Sequence, residues 1–316
     1  METVTLLEAG HPVLPQGWMW VIFVTVVSVL LYLDLFVFHR KDEEQKIRKI
    51  LIICASYVLI ALLFGLFVIY EKGSETGMLF YTGYLVELSL SMDNIFVISL
   101  IFTSLTIPVR YQHGVLFWGI MGAVVMRAVM IFIGAALVAR FHWILYLFSI
   151  FLIFTGIKFL FPEKEKSDIK EGKLFRFLSQ RFRITPDLSG EHFFVKKDEK
   201  NYITPLFLAL LLIEIMDVIF AIDSIPAIFL ITQDTFVIYT SNIFAILGLR
   251  SLYFLLAAAV NRFVYLKHAL AIILVFIGCK IFSPHFGLEI RSEQSLVFTF
   301  SILALGVVIS LMKTKK

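Results

Sequence analysis

The sequence predicts an all-α polytopic membrane protein with nine transmembrane helices, six of them forming two inverted three-helix repeats. Three observations carry that prediction. Apolar runs of about twenty residues recur along the chain, Lys and Arg gather on one side of those runs, and the second half repeats the first.

The composition makes water an unsuitable solvent for most of the chain. Of 316 residues, 59% are hydrophobic and 16% charged, and the mean hydropathy is +0.90, far from the balance of a soluble globular domain. At 1.5 Å per residue each run can cross a hydrocarbon core about 30 Å thick. The runs are 18–38, 48–70, 78–103, 114–138, 143–161, 203–232, 236–260, 264–282 and 295–312. They divide the chain into an N-terminal pair of helices (1–77), a first three-helix unit (78–161), a basic loop (162–202), a second unit (203–282) and a last helix with its tail (283–316).

Charge sets the expected orientation. With the N-terminus outside, 21 of the 28 Lys and Arg fall in cytoplasmic connections or the C-terminal tail, and only Lys72, Arg140 and Arg291 face the other way. Basic residues near span ends are retained in the cytoplasm, so the C-terminus is expected inside. No Lys or Arg precedes Arg40; the first run therefore lacks the basic start of a cleaved signal peptide and is expected to remain as a helix. Cys54 and Cys279 fall in separate apolar runs, which argues for buried structural thiols and against a disulfide, zinc or redox pair. The net charge of +4 follows from the cytoplasmic loops and calls for no nucleic acid.

The repeat is visible residue by residue. Glu87, Asp93 and Asn94 align with Asp217, Asp223 and Ser224 at an offset of 130, Arg127 aligns with Arg250 at 123, and Gly156 and Lys158 align with Gly278 and Lys280 at 122. Each unit has three spans, and the segment joining them is too charged to cross, so the second unit enters from the opposite side. Inverted repeats of this kind are typical of secondary transporters, whose site lies near the midplane. A duplicated scaffold that moves no solute is the alternative.

Five acids lie deep in the third and sixth runs: Glu87, Asp93, Glu214, Asp217 and Asp223. At about 2.5–3.5 kcal/mol each they would cost on the order of 15 kcal/mol if uncompensated. Packing does not explain them. Arg127 and Arg250 offset two, leaving three negative charges, which a divalent cation and a proton would balance. Glu87, Ser91 and Asn94 share a helix face at i, i+4 and i+7, and Glu214 and Asp217 do so at i, i+3. Asp93 and Asp223 fall about 120° away from Glu87 and Asp217, so all four converge only through a helix break or from different faces. Pro226 supplies one candidate break, freeing the carbonyl of Ile222.

Carboxylate, amide and hydroxyl oxygens suit manganese, magnesium or calcium better than copper or zinc. The seven histidines lie in connections or at span ends. Ion pairing of the acids to Arg127 and Arg250 solely for cohesion is the competing structural role. Asp34, near the end of the first run, could pair with Arg40 and Lys41 or line an ion path. Ser241 and Asn242 could cap the seventh span or line the same path, and Lys158 and Lys280 could snorkel to the interface. The basic loop 162–202, with Phe175, Phe177 and Phe182, is expected to form a helix on the anionic inner leaflet.

The segments Glu-Leu-Ser-Leu-Ser-Met-Asp-Asn (87–94) and Phe-Ala-Ile-Asp-Ser-Ile-Pro-Ala (220–227) resemble the TerC family of bacterial integral membrane proteins. The resemblance continues through Tyr-Gln-His-Gly-Val-Leu-Phe-Trp-Gly (111–119) and Tyr-Thr-Ser-Asn-Ile-Phe-Ala-Ile-Leu-Gly-Leu-Arg (239–250), and departs at 46–58, which carries no tryptophan. It implies a nine-span metal-ion transporter of the bacterial inner membrane, related to manganese exporters and historically linked to tellurite resistance. The expected metal ligands are Asp93, Asp223, Glu87, Asp217, Asn94, Ser224 and Glu214. Arg127 and Arg250 would tune their charge, and Asp34, Ser91 and Asn242 would line the path. No tightly held cofactor, no nucleic acid and no catalytic residue is expected; an intramembrane aspartyl protease would need a Gly-x-Gly-Asp motif that the chain lacks.

Overall fold

The computed structural model describes residues 15–34, 47–161, 175, 177–178, 181–185, 188, 190–197, 200–257, 265–286, 288 and 290–313. Among them ten α-helices are bounded: α1 (Gln16–Leu33), α2 (Ile47–Lys72), α3 (Ser74–Ser104), α4 (Val109–Arg140), α5 (Ile144–Leu160), α6 (Pro205–Ile231), α7 (Thr235–Leu247), α8 (Leu249–Ala257), α9 (Leu266–Lys280) and α10 (Ser292–Lys313). Each predicted run falls on a helix, the seventh divided at Gly248 into α7 and α8. Among the described residues, five helices are long and apolar enough to cross a membrane: Arg48–Lys72, Val109–Arg140, Pro205–Ile231, Thr235–Leu255 and Ser292–Ser310. Shorter apolar helices cover Gly17–Leu33, Ile144–Leu160 and His268–Lys280. The 31-residue α3 carries Glu87, Ser91 and Asn94.

Helix ends follow local chemistry. Gly73, with φ 88°, turns the chain between α2 and α3 in a conformation that a side chain would strain. After α3, the amide of Ile107 bonds the carbonyl of Phe102 at 2.9 Å, and Pro108 stands at the N-cap of α4. Asp234 caps α7, its Oδ1 accepting from the amides of Phe236 at 2.9 Å and Val237 at 3.4 Å. The same carboxylate pairs with Lys72 at the end of α2, tying two connections together.

The outer faces are apolar and bare. Val24, Leu59, Leu66, Phe132, Ile150, Phe154 and Val308 are all exposed, a coat that water would not tolerate and acyl chains would solvate. Inside, Phe23, Phe64, Phe80, Phe236, Phe244 and Tyr239 stack into one aromatic cluster where α1, α2, α3 and α7 meet. The protein is an all-α, multi-pass membrane protein.

Packing among the central helices is reciprocal. α3 packs on α7 as α6 packs on α4, α3 and α6 touch each other, and α5 lies along α9. At the last contact two glycines bring backbones together. A Cβ on Gly156 would stand 2.8 Å from the carbonyl oxygen of Ala271 and 2.8 Å from the side chain of Val275, and one on Gly278 would stand 2.8 Å from the carbonyl oxygen of Ser149 and 2.8 Å from the side chain of Ile153. Adding 122 to each residue of the second contact's α5 side (Ser149, Ile153) gives the first contact's α9 side (Ala271, Val275). Contact advances on α5 as it retreats on α9, so the two helices are antiparallel.

Several expectations need correction. Both α3 and α6 run unbroken, α6 passing through Pro226 although its ring removes the amide that would bond the Ile222 carbonyl and crowds that carbonyl. The basic segment is helical at Phe175, Phe177, Leu178 and Arg181, on the stretch where a helix was expected, and further on contains an unexpected antiparallel hairpin, β1 (Phe194–Lys197) with β2 (Lys200–Ile203). Its β-branched and aromatic positions, Val195, Tyr202 and Ile203, suit a pleated ladder, whereas residues 162–174 of the same segment lie outside the described residues. Cys54 is buried but Cys279 is exposed, and both are free. Lys280 donates from Nζ to Ser295 Oγ of α10 at 2.8 Å.

Candidate functional site

The candidate site is organised by one arginine. Arg127, in the middle of α4, is 1% exposed. Its guanidinium reaches three other helices. Nε donates to Asp217 Oδ2 at 3.3 Å and Nη2 to Asp217 Oδ1 at 3.1 Å, a two-pronged pairing. Nη1 donates to Glu87, to Ser224 Oγ at 3.1 Å and to Asn242 Oδ1 at 3.3 Å. Asn94 donates from Nδ2 to Asp217 Oδ1 at 3.3 Å.

Helical spacing explains the convergence. Glu87 and Asn94 are seven residues apart on α3, and Asp217 and Ser224 seven apart on α6, so each pair projects from one face two turns apart. Where those faces meet, a carboxylate from each helix flanks the same guanidinium. The planar fork of arginine serves both acids at once, which an ammonium group could not do with the same geometry. Two carboxylates against one guanidinium leave one negative charge in a buried setting.

Unsatisfied polar atoms mark the same place. Asn94 Oδ1, Ser91 Oγ and Asn242 Nδ2 are buried with no hydrogen-bond partner among the described residues. Two cavities flank the Arg127–Asp217 pair. One, of about 10 Å³, is lined by Glu87, Asn94, Arg127, Phe159, Phe220 and Ser224 among others. The other, of about 40 Å³, touches Asn94, Asp217 and Arg250 through otherwise apolar walls. Asn94 and Phe220 belong to both.

The other expected site residues separate. Asp93 and Asp223 have described backbones on the unbroken α3 and α6, but their side chains lie outside the described residues. Glu214 faces away from Arg127 toward Gly122 of α4, where an added Cβ would stand 1.9 Å from its Oε1; the glycine makes room for the carboxylate. Arg250 does not join the Asp217 cluster. It donates from Nη1 to Asp34, and the two are 3% and 4% exposed, so Asp34 pairs with Arg250 of α8. Asn242 and Ser241 are fully buried in the body of α7, whose cap is Asp234, so neither is the cap, and Asn242 instead accepts from Arg127. Gly122 and Phe220 were not singled out by sequence; Gly122 stood in the stretch that defined the repeat, but nothing in its type announced a carboxylate neighbour. Among the described residues, no three His, Cys, Asp or Glu side chains gather as a ready metal cage.

A multi-pass helical protein with a charged, partly unsatisfied cluster among its inner helices carries the kind of intramembrane ionisable group that marks a functional site. Residues 72–316 match the model of the integral membrane protein TerC family, and the chain belongs to that family. It is 47% identical over 294 residues to an uncharacterized membrane protein of Rickettsia bellii, covering 93% of this chain and 97% of that one. It is 47% identical to the uncharacterized membrane protein STKORF319 of Myxococcus xanthus over 94% of this chain and 93% of the relative. Against the Escherichia coli protein named "Putative membrane-bound redox modulator Alx", identity is 41% over 92% of this chain and 94% of the relative. No solved structure matches the chain.

Proposed function

We propose that the protein is a divalent metal-ion transporter, with manganese as the favoured ion, exporting it across the bacterial inner membrane with the N-terminus outside and the C-terminus in the cytoplasm. The observation that carries the reading is the pairing of Glu87 and Asp217, from two different helices, on the single counter-charge of Arg127. The cluster keeps a net negative charge and an unpartnered amide oxygen on Asn94. Its donors are carboxylate, amide and hydroxyl oxygens, the set that hard divalent cations prefer.

In this reading Asp217, Asn94 and Glu87 supply first ligands and Arg127 balances their charge when the ion leaves. Asp93 and Asp223, on the same two helices, join them as ligands for the ion. Glu214, beside Gly122, extends the acidic lining by one turn. The two three-helix units are inverted copies, a reading supported by the antiparallel, offset-matched contacts of Gly156 and Gly278. Such a pair offers two equivalent arrangements about one site, which is what alternating access requires.

The test is manganese flux through the purified protein in liposomes carrying an encapsulated manganese-sensitive dye. Wild type is expected to carry the ion, and Asp217→Asn to abolish flux while still inserting and running as one species in detergent. A wild-type protein that moves no manganese, calcium or magnesium would point instead to a non-transporting membrane scaffold of a stress-response complex.

A further inference from the structure

The two repeat arginines are not used alike, and the larger cavity lies between their territories. Its lining has three polar members: Asn94 and Asp217 at one part of the wall and Arg250 at another. The remainder is apolar, including Val97, Ile101, Leu116 and Ile246. Arg250 Nε and Asn94 Oδ1 are both buried without a hydrogen-bond partner among the described residues. A cavity of about 40 Å³ has room for two or three waters, and these two atoms are the donor and acceptor that such waters need. Arg250 and Asp217 therefore look on the same small, wettable space.

What keeps Arg250 out of that space is Asp34. The carboxylate, at the end of α1 and outside both repeat units, accepts from Arg250 Nη1, and Tyr57 of α2 lies within hydrogen-bond reach of it. In the first unit the corresponding arginine, Arg127, bonds the acids of both units. Arg250 is the residue through which the second unit would do the same. While Asp34 holds it, the cluster of Glu87, Asp217 and Arg127 carries one negative charge; with Arg250 also on Asp217 the charge would be zero and the attraction for a cation lost.

We propose that Asp34 is a positioning residue for the cation site: by retaining Arg250 it keeps Asp217 available to the ion, and release of Arg250 across the cavity neutralises the site and expels the ion. This rests on the transport reading above and deepens it. It assigns the N-terminal helix, which stands outside the repeats, a task in setting cation affinity.

The experiment is manganese binding to the purified full-length protein in detergent by isothermal titration calorimetry, on material verified as monodisperse. Asp34→Asn frees Arg250 and is expected to weaken manganese binding at least about tenfold, the scale of one added positive charge at close range in a partly shielded site. The double variant Asp34→Asn with Arg250→Gln removes the intruding charge and is expected to regain wild-type affinity. A pair with only a structural role would lower thermal stability in the single variant and leave the affinity of the folded fraction unchanged. The proposal is overturned if Asp34→Asn binds as wild type does, or if the double variant binds as weakly as the single. Should Asp34→Asn not fold, the double variant is read alone, and affinity lost in it refutes the proposal. Wild type that binds no manganese removes the transport reading and this one with it, an outcome distinct from either variant result.

Discussion

Arg127 and Arg250 stand at corresponding positions of the two halves, and their surroundings differ in kind. Arg127 is shared by two acids from two helices, with a hydroxyl and two amides close by. Arg250 faces Asp34, from a helix outside the repeat, and opens on its other side toward a cavity. A buried guanidinium with two carboxylates fixes a junction, whereas one with a carboxylate on one side and space on the other can change partners. The two arginines therefore differ through a carboxylate delivered by the N-terminal helix.

The comparison breaks most visibly at Arg127. Arg127→Gln leaves Glu87 and Asp217 buried side by side without a counter-charge, an arrangement that costs about 3–5 kcal/mol. Thermal unfolding in detergent should show the melting temperature collapse or the protein fail to accumulate, and no single acid replacement should rescue it because two acids are stranded. Arg250→Gln strands one acid, so its loss of thermal stability should be smaller, and adding Asp34→Asn should recover most of it. If the two arginine variants melt alike, the distinction between junction and movable partner is wrong.

The packing symmetry predicts a middle-sized effect. Gly278→Leu and Gly156→Leu each push a side chain against the backbone of the opposite helix, at an overpacking cost of about 1–3 kcal/mol. Because the two contacts correspond, the two variants should lose similar thermal stability, and markedly unequal losses would speak against the matched pair. The smallest effect belongs to Lys72. Its bond to Asp234 is partly solvated, with both side chains 20–29% exposed, so Lys72→Met should cost under about 1 kcal/mol. Asp234→Ala removes the cap of α7 as well and should cost more in the same melting assay.

Much of this was legible in the residues themselves. The seven-residue spacing of Glu87 with Asn94 put two site groups on one face of α3, and the charge rule that makes buried acids costly pointed to Arg127 and Arg250 as counter-charges, of which only Arg127 meets Glu87 and Asp217. Long apolar runs have few alternatives to helix in a bilayer, which is why each expected span falls on one. Long-range pairing was not legible. Asp34 and Arg250 are 216 residues apart, and local spacing cannot find a partner delivered by packing; the Arg40 and Lys41 that sequence offered Asp34 lie outside the described residues. Asn242 resembled a cap because it lies early in its run, yet Asp234 eight residues earlier took that position and left the amide in the interior. The hairpin at 194–203 was hidden by charge: its lysines dominated the composition while Val195, Tyr202 and Ile203 set the ladder.

The glycine contact between α5 and α9 has a consequence for how far either helix can be altered. Gly156 and Gly278 each seat the backbone of the other's helix, so the interface is closed by one small residue from each side. A side chain added at either position meets a carbonyl oxygen of the facing helix, which has no rotamer to escape into, and room can be made only by moving a whole helix.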